Sequence, residues 1–151
     1  MADFQIDITD QQIHVTMPVK RLHDVIKRVL TEEGFESGEV SVALVDDAEI
    51  HRVNREFLGH DYPTDVVSFI LSDDADKCRL EGELVVSTET AKREAPSHCW
   101  SAEDEVLLYV VHGLLHLCGY DDLTDDARPI MRQRERQVLA QWQLTPTGLE
   151  A

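Results

Sequence analysis

At 151 residues the chain has the length of one domain, and a domain of that size buries about two thirds of the surface its unfolded chain exposes. Hydrophobic residues make up 42% and charged residues 29%, which excludes a disordered or fibrous chain. Thirty Asp and Glu against 14 Lys and Arg leave a formal charge of −16, so general attraction to phosphate backbones is excluded and any nucleic-acid role must rest on local patches.

In chain order, the alternation of Phe4, Ile6 and Ile8 predicts a first strand. Pro18 opens a helix with Val19, Leu22, Val25, Ile26, Val29 and Leu30 on one face and Gly34 beyond its end. VSVALV (40–45) predicts a strand of nearly continuous apolar character. Asp46 or Asp47 then caps a helix expected to bury Ile50, Val53 and Phe57. VVSFIL (66–71) predicts a third strand, the polar run SDDADK (72–77) a loop, and ELVVS (83–87) a fourth strand, followed by a short helix that must end before Pro96. Ser101 with Asp104 forms the start of a helix running to about Cys118, with Gly119 in the stop position; its apolar residues occupy most of the circumference, as in a buried central helix. Thr124 caps a last helix reaching about Trp142, with Met131, Val138, Leu139 and Trp142 on its inward stripe. Four strands with about five helices between and around them predict one α+β domain spanning residues 1–151, without repeats, linkers or low-complexity tracts.

Cys78, Cys99 and Cys118 lie far apart with no CxxC spacing, which fits a reducing compartment, the cytoplasm. MADFQIDITD carries acid where a signal peptide needs base, and the longest apolar stretch is too short and interrupted for a bilayer, so neither export nor a membrane is expected. Two basic patches stand out, Lys20, Arg21, Lys27 and Arg28, and Arg128, Arg132, Arg134 and Arg136. Solvated helix faces are the simpler reading of each.

The chemistry is concentrated near the end of the central helix. His112 and His116, four residues apart, differ by about 40° around a helix of 3.6 residues per turn, so both imidazoles project to one side. After Gly119 the chain turns back, bringing Tyr120, Asp121 and Asp122 to the open side, where a carboxylate could complete a three-ligand metal site with one position left for water. The spacing H-x3-H-x2-G-x2 and then a third ligand is that of metzincin proteases, but Gly113 stands where those enzymes carry their general-base Glu. Glu105 and Tyr109 share the histidine stripe and are candidates to hydrogen-bond a ligand imidazole. Glu135, between Met131 and Leu139 on the inward side of the last helix, needs a buried partner such as an Arg or a ligand His.

HGLLHLCGYDD (112–122) resembles the signature of the YbeY family of single-strand endoribonucleases and ribosomal-RNA maturation factors. Asn54, DYPTDVVSF (61–69), EGELVVS (81–87), Met131 and Glu135 follow in that family's order, so the resemblance covers residues 20 to 142. It implies a small mixed sheet, one zinc or another divalent transition metal per chain at His112, His116 and Asp122, and hydrolysis of RNA phosphodiesters by metal-activated water. It also implies single-stranded or ribosomal RNA as substrate, with the ribosomal subunit or its proteins as partners. The resemblance puts Asp65 and Ser68 on the wall of the site. Two positions depart from the pattern. Asp122 stands where the family has a third His, which leaves the metal centre with a net charge of about +1 instead of +2 and a less acidic bound water. Leu58 replaces an arginine implicated in the family's RNA processing; Arg52 and Arg55 are the candidates to replace it, with His60 nearby and Arg132 a further phosphate contact. No residue identifies itself as the general base. The alternatives are a ribosome-assembly factor with the fold and metal but little nuclease activity, and, more remote, a metalloprotease.

Overall fold

The computed structural model describes residues 3–74 and 78–145. Its elements run β1 (Asp3–Asp10), α1 (Val19–Glu32), β2 (Ser37–Val45), α2 (Asp47–Leu58), β3 (Val66–Asp74), β4 (Arg79–Ser87), α3 (Thr88–Glu94), a 3-10 turn (Ala95–His98), α4 (Ala102–Leu117) and α5 (Ala127–Ala140). The strands form one mixed sheet in the order β1-β2-β4-β3. β1, β2 and β4 are parallel, whereas β3 pairs antiparallel with β4 at the edge. The fold is the α+β arrangement predicted, with four strands and five α-helices among the described residues.

Local chemistry explains where most elements start and stop. Pro18, at φ −64°, precedes α1, and Leu22, Val25, Ile26, Val29 and Leu30 recur at helical spacing to form its buried face. Asp46 caps α2 by accepting from the Glu49 N–H at 2.9 Å, and Ser101 caps α4 by accepting from the Asp104 N–H at 3.2 Å. Alternate strand residues divide between the two faces of the sheet. Val42, Leu44, Leu84 and Val86 join the main core with α1, α4 and α5, while Val45 and Val67, with Ala43, Phe69 and Val85 beside them, pack with Ile50 of α2 on the other face. Helix α4 is the centre of the molecule: from Glu105 to Leu117 every residue is buried except His112 and His116.

Four details differ from the sequence reading. Phe57, expected inside, is 66% exposed and meets Phe69 edge-on at 6.1 Å; α2 covers only one end of its sheet face, so its last turn overhangs the core. Ser72–Asp74, expected in a loop, extend β3 beyond an irregularity in register between Ile70 and Ser72; the rest of that loop, 75–77, lies outside the described residues. β2 and β4 begin earlier than predicted because their polar residues Glu39, Glu81 and Glu83 alternate with buried Gly38, Val40, Leu80 and Gly82, a pattern set by one open sheet face. Helix α5 is shorter at both ends. Thr124 still serves its start, its hydroxyl accepting from the Ala127 N–H at 3.0 Å, and Trp142 packs against the core from beyond the end of the helix.

Candidate metal centre

His112 and His116 reach the surface of α4 together because they lie one turn apart, and their Nε2 atoms are 3.1 Å from each other. The other ring nitrogens are already engaged. His116 Nδ1 lies 3.1 Å from the Tyr120 carbonyl, which can only accept, so Nδ1 carries the proton and Nε2 the lone pair. His112 Nδ1 donates to the Glu135 carboxylate at 3.3 Å. Both lone pairs therefore point into the same space.

Gly119, at φ +104°, lets the chain reverse after α4. The turn is held by Tyr120, whose hydroxyl is pushed above its ordinary pKa by burial and by its hydrogen bond to Glu33. Beyond it Asp122 Oδ2 stands 3.6 Å from His112 Nε2 and Oδ1 3.8 Å from His116 Nε2. The neighbouring Asp121 is exposed and spends its carboxylate on the Leu123 N–H at 3.1 Å. Two imidazole nitrogens and one carboxylate oxygen thus converge within 4.8 Å. The nitrogens are closer together than twice a zinc–nitrogen bond of about 2.0–2.1 Å, so a single ion can reach both. The donor set suits a divalent transition metal.

Behind these residues lies a fully buried carboxylate. Glu135, at 0% exposure, accepts from His112 and from Arg132 Nη1 at 3.0 and 3.2 Å. Both kinds of partner anticipated for it are present. Glu105 is also buried but serves another cluster: its Oε1 lies 2.7 Å from His98 Nδ1 and 2.6 Å from Trp100 Nε1, and it bonds neither His112 nor His116. Tyr109 follows Glu105 rather than the histidines. Burial raises its hydroxyl pKa far above the ordinary value, and the Glu105 carboxylate adds to the effect, so it stays a neutral donor.

A cavity of about 970 Å³ opens in front of the histidines. Asp65 and Ser68 are on its wall, but their polar atoms are partly engaged: Asp65 Oδ1 accepts from the Val66 N–H at 2.7 Å, and the Ser68 hydroxyl donates to the Gly113 carbonyl at 3.2 Å. That last contact marks where α4 lies against the sheet. A Cβ at Gly113 would come within 2.7 Å of Leu84 Cδ2 and 3.1 Å of Val66 Cγ2, so the glutamate that metzincins carry there would require those side chains to shift.

Among the described residues the guanidinium groups lining the cavity are those of Arg132 and Arg93. Arg52 is held on the outer side of α2 between Glu49 and Glu56, and neither it nor Arg55 lines the cavity, so neither takes the place expected for a cation at Leu58. Lys27 and Arg28 line a separate recess beside Trp142. Arg93 was not anticipated: it is paired with Asp47 at 3.0 Å, a contact between α3 and α2 that no local spacing reveals. Burial pushes the Asp47 carboxyl up, but hydrogen bonds from Ser87, Thr90 and Arg93 together hold it below its ordinary value. His98 also lines the cavity unannounced; its nearness to Glu105 depends on the 3-10 turn.

Compared with known proteins, the sequence matches the family described as Endoribonuclease YbeY over residues 5–143. The protein of that name from Bacillus licheniformis is 35% identical over 153 aligned residues, covering 93% of this chain and 96% of its own. Its namesake from Pelotomaculum thermopropionicum is 40% identical over 125 residues, 79% of this chain and 82% of that one. That from Rhodopirellula baltica is 51% identical over 105 residues, 68% of this chain and 53% of that protein. The solution structure of TM1509 from Thermotoga maritima is similar, with a TM-score of 0.63 at 28% identity over 91% of each chain.

Proposed function

The chain belongs to the YbeY family of endoribonucleases, and from that premise we propose that it is a metal-dependent endoribonuclease. It cleaves single-stranded RNA, ribosomal RNA above all, in the cytoplasm, and so serves ribosomal-RNA maturation and ribosome quality control. The metal is one zinc ion or a similar divalent transition metal per chain. The observation that carries this reading is the orientation of the two imidazoles, each with Nδ1 engaged, so that both Nε2 lone pairs converge at 3.1 Å with the Asp122 carboxylate opposite. At that distance the two nitrogens need either a shared proton or a metal ion between them, and the carboxylate oxygen converging on the same point supports the ion.

His112, His116 and Asp122 would hold the ion, leaving its remaining side toward the cavity. A divalent metal there supplies Lewis acidity to a phosphoryl oxygen and lowers the pKa of water. The protein's own groups do the rest. Glu135 fixes the His112 ring and its tautomer. Arg132, with Nη1 on Glu135, and Arg93 present the cavity's guanidinium groups to a phosphate backbone. With so few cations at hand in a chain of charge −16, salt should weaken RNA binding only moderately, with a log–log slope of roughly −1.4 for two phosphate contacts. No described helix is long and apolar enough to cross a membrane.

The test is metal analysis of the purified protein combined with cleavage of a single-stranded RNA, with and without a chelator. Stoichiometric metal and chelator-sensitive cleavage are expected. Metal binding with ribosome association and no cleavage would instead make the chain an assembly factor, and Leu58→Arg would then be the substitution to try. Chelator-sensitive proteolysis without RNA cleavage would overturn both, against the obstruction at Gly113.

A further inference from the structure

Exposed apolar side chains also border the cavity. At the end of α2 and along edge strand β3, Phe57, Leu58, Tyr62, Ile70 and Leu71 are all exposed, Tyr62 by 53%. Leu58, His60, Tyr62 and Ile70 line the same cavity as the histidine pair. Within this surface the rings of His60 and Tyr62 lie nearly parallel, with centroids 5.4 Å apart and planes 8° from each other. Exposed aromatic rings facing a polar cavity do not serve the core.

The segment that carries them is also anchored. Gly59 turns in the left-handed region at φ +72°, and the His60 N–H donates to the Asn54 carbonyl at 3.1 Å. Asn54 is 2% exposed, and its side-chain Nδ2 donates to the Tyr62 carbonyl at 2.9 Å. One buried residue of α2 thus holds the backbone before and after Asp61, whose carboxylate is drawn to His51 Nε2 at 2.8 Å. The loop is a prepared surface, and the ordering cost of presenting the rings is met before any ligand arrives.

We propose that the His60–Tyr62 stack is a binding platform for an unpaired nucleobase of the RNA strand whose phosphodiester lies at His112, His116 and Asp122. The inference rests on the endoribonuclease reading and gives its substrate preference a physical cause. A base presents its π-face to an aromatic ring only when it is free of its own neighbours, so the platform favours single strands over duplexes. Stacking needs no cation, which suits a chain of charge −16 with leucine at position 58 and two guanidinium groups on the cavity wall.

The experiment measures cleavage kinetics of the metal-loaded full-length protein on a short single-stranded RNA, and its binding to two non-cleavable analogues of that RNA, one with bases throughout and one with abasic positions. Tyr62→Ala should raise KM about tenfold, the effect of losing one base–aromatic stack, with kcat within twofold and metal content unchanged. Tyr62→Phe should behave as the parent. The abasic analogue should bind the parent about tenfold more weakly and Tyr62→Ala no more weakly than the base-bearing one, and the difference should persist at high salt. If the parent cleaves RNA and the double variant His60→Ala, Tyr62→Ala retains its KM, the platform is overturned and the nuclease reading stands. If the parent neither cleaves nor binds RNA, the nuclease reading fails and the platform with it. Self-association that Tyr62→Ala abolishes, with RNA binding unchanged, would assign the rings to a second copy of the chain and overturn the proposal.

Discussion

Helix α4 has a buried glutamate–histidine pair near each end, and the two have different consequences. Toward its N-terminus Glu105, 1% exposed, is bonded by His98 and Trp100; toward its C-terminus Glu135 of α5, 0% exposed, is bonded by His112 and Arg132. The carboxylate–imidazole contact is common to both. Only at His112 does the far nitrogen meet a second imidazole and a second carboxylate; His98 belongs to no group of three potential ligands among the described residues. A buried carboxylate can orient a histidine, but only converging donors could hold a metal.

The largest effect that could break this comparison is on metal content. The double variant His112→Ala, His116→Ala should lose its metal altogether, as read by elemental analysis; one equivalent retained would move the site elsewhere, with His98 the first place to look. The next effect separates the two glutamates. Glu135→Ala should weaken metal affinity by about 10–100-fold in a chelator competition, the usual effect of losing a carboxylate that orients a ligand imidazole. Glu105→Ala should leave affinity within twofold yet cost about 3 kcal/mol in urea unfolding of the metal-free protein, because the Trp100 and His98 N–H groups lose their buried acceptor. The reverse pattern would exchange their roles.

Gly113→Ala sharpens the same contrast by crowding the histidine end of α4 against the sheet. Its Cβ would meet Leu84 and Val66, and overpacking of that kind costs about 1–3 kcal/mol, more than the roughly 1 kcal/mol that alanine gains over glycine in a helix. A loss of stability with metal still bound is expected; a gain would show that the approach is looser than described. The smallest effect concerns the partly buried carboxylate of Asp47, which holds Arg93 rather than a histidine. Its pKa is depressed in the fold, so its contribution is complete above the unfolded carboxyl pKa of about 3.9 and is lost as pH falls through the lower folded value. The stability difference between the parent and Asp47→Asn should shrink across that acid window and stay constant from there to neutrality.

What was readable in the sequence was what one element's geometry dictates. The i, i+4 spacing of His112 and His116 places two rings on one side of any helix. The glycine after the helix and the acid three residues beyond it announce the turn, and Glu135 among apolar neighbours announces a buried partner. Strand alternation and capping residues similarly located the elements, because these signals arise between residues a few positions apart. Tertiary structure decided the rest. It gave Glu105 to His98 instead of a ligand ring, left Phe57 outside where α2 overhangs, and brought Arg93 rather than Arg52 to the cavity. Each of those outcomes depends on how far one element is rotated or offset against another, and a helical or strand period is the same whichever neighbour the element meets.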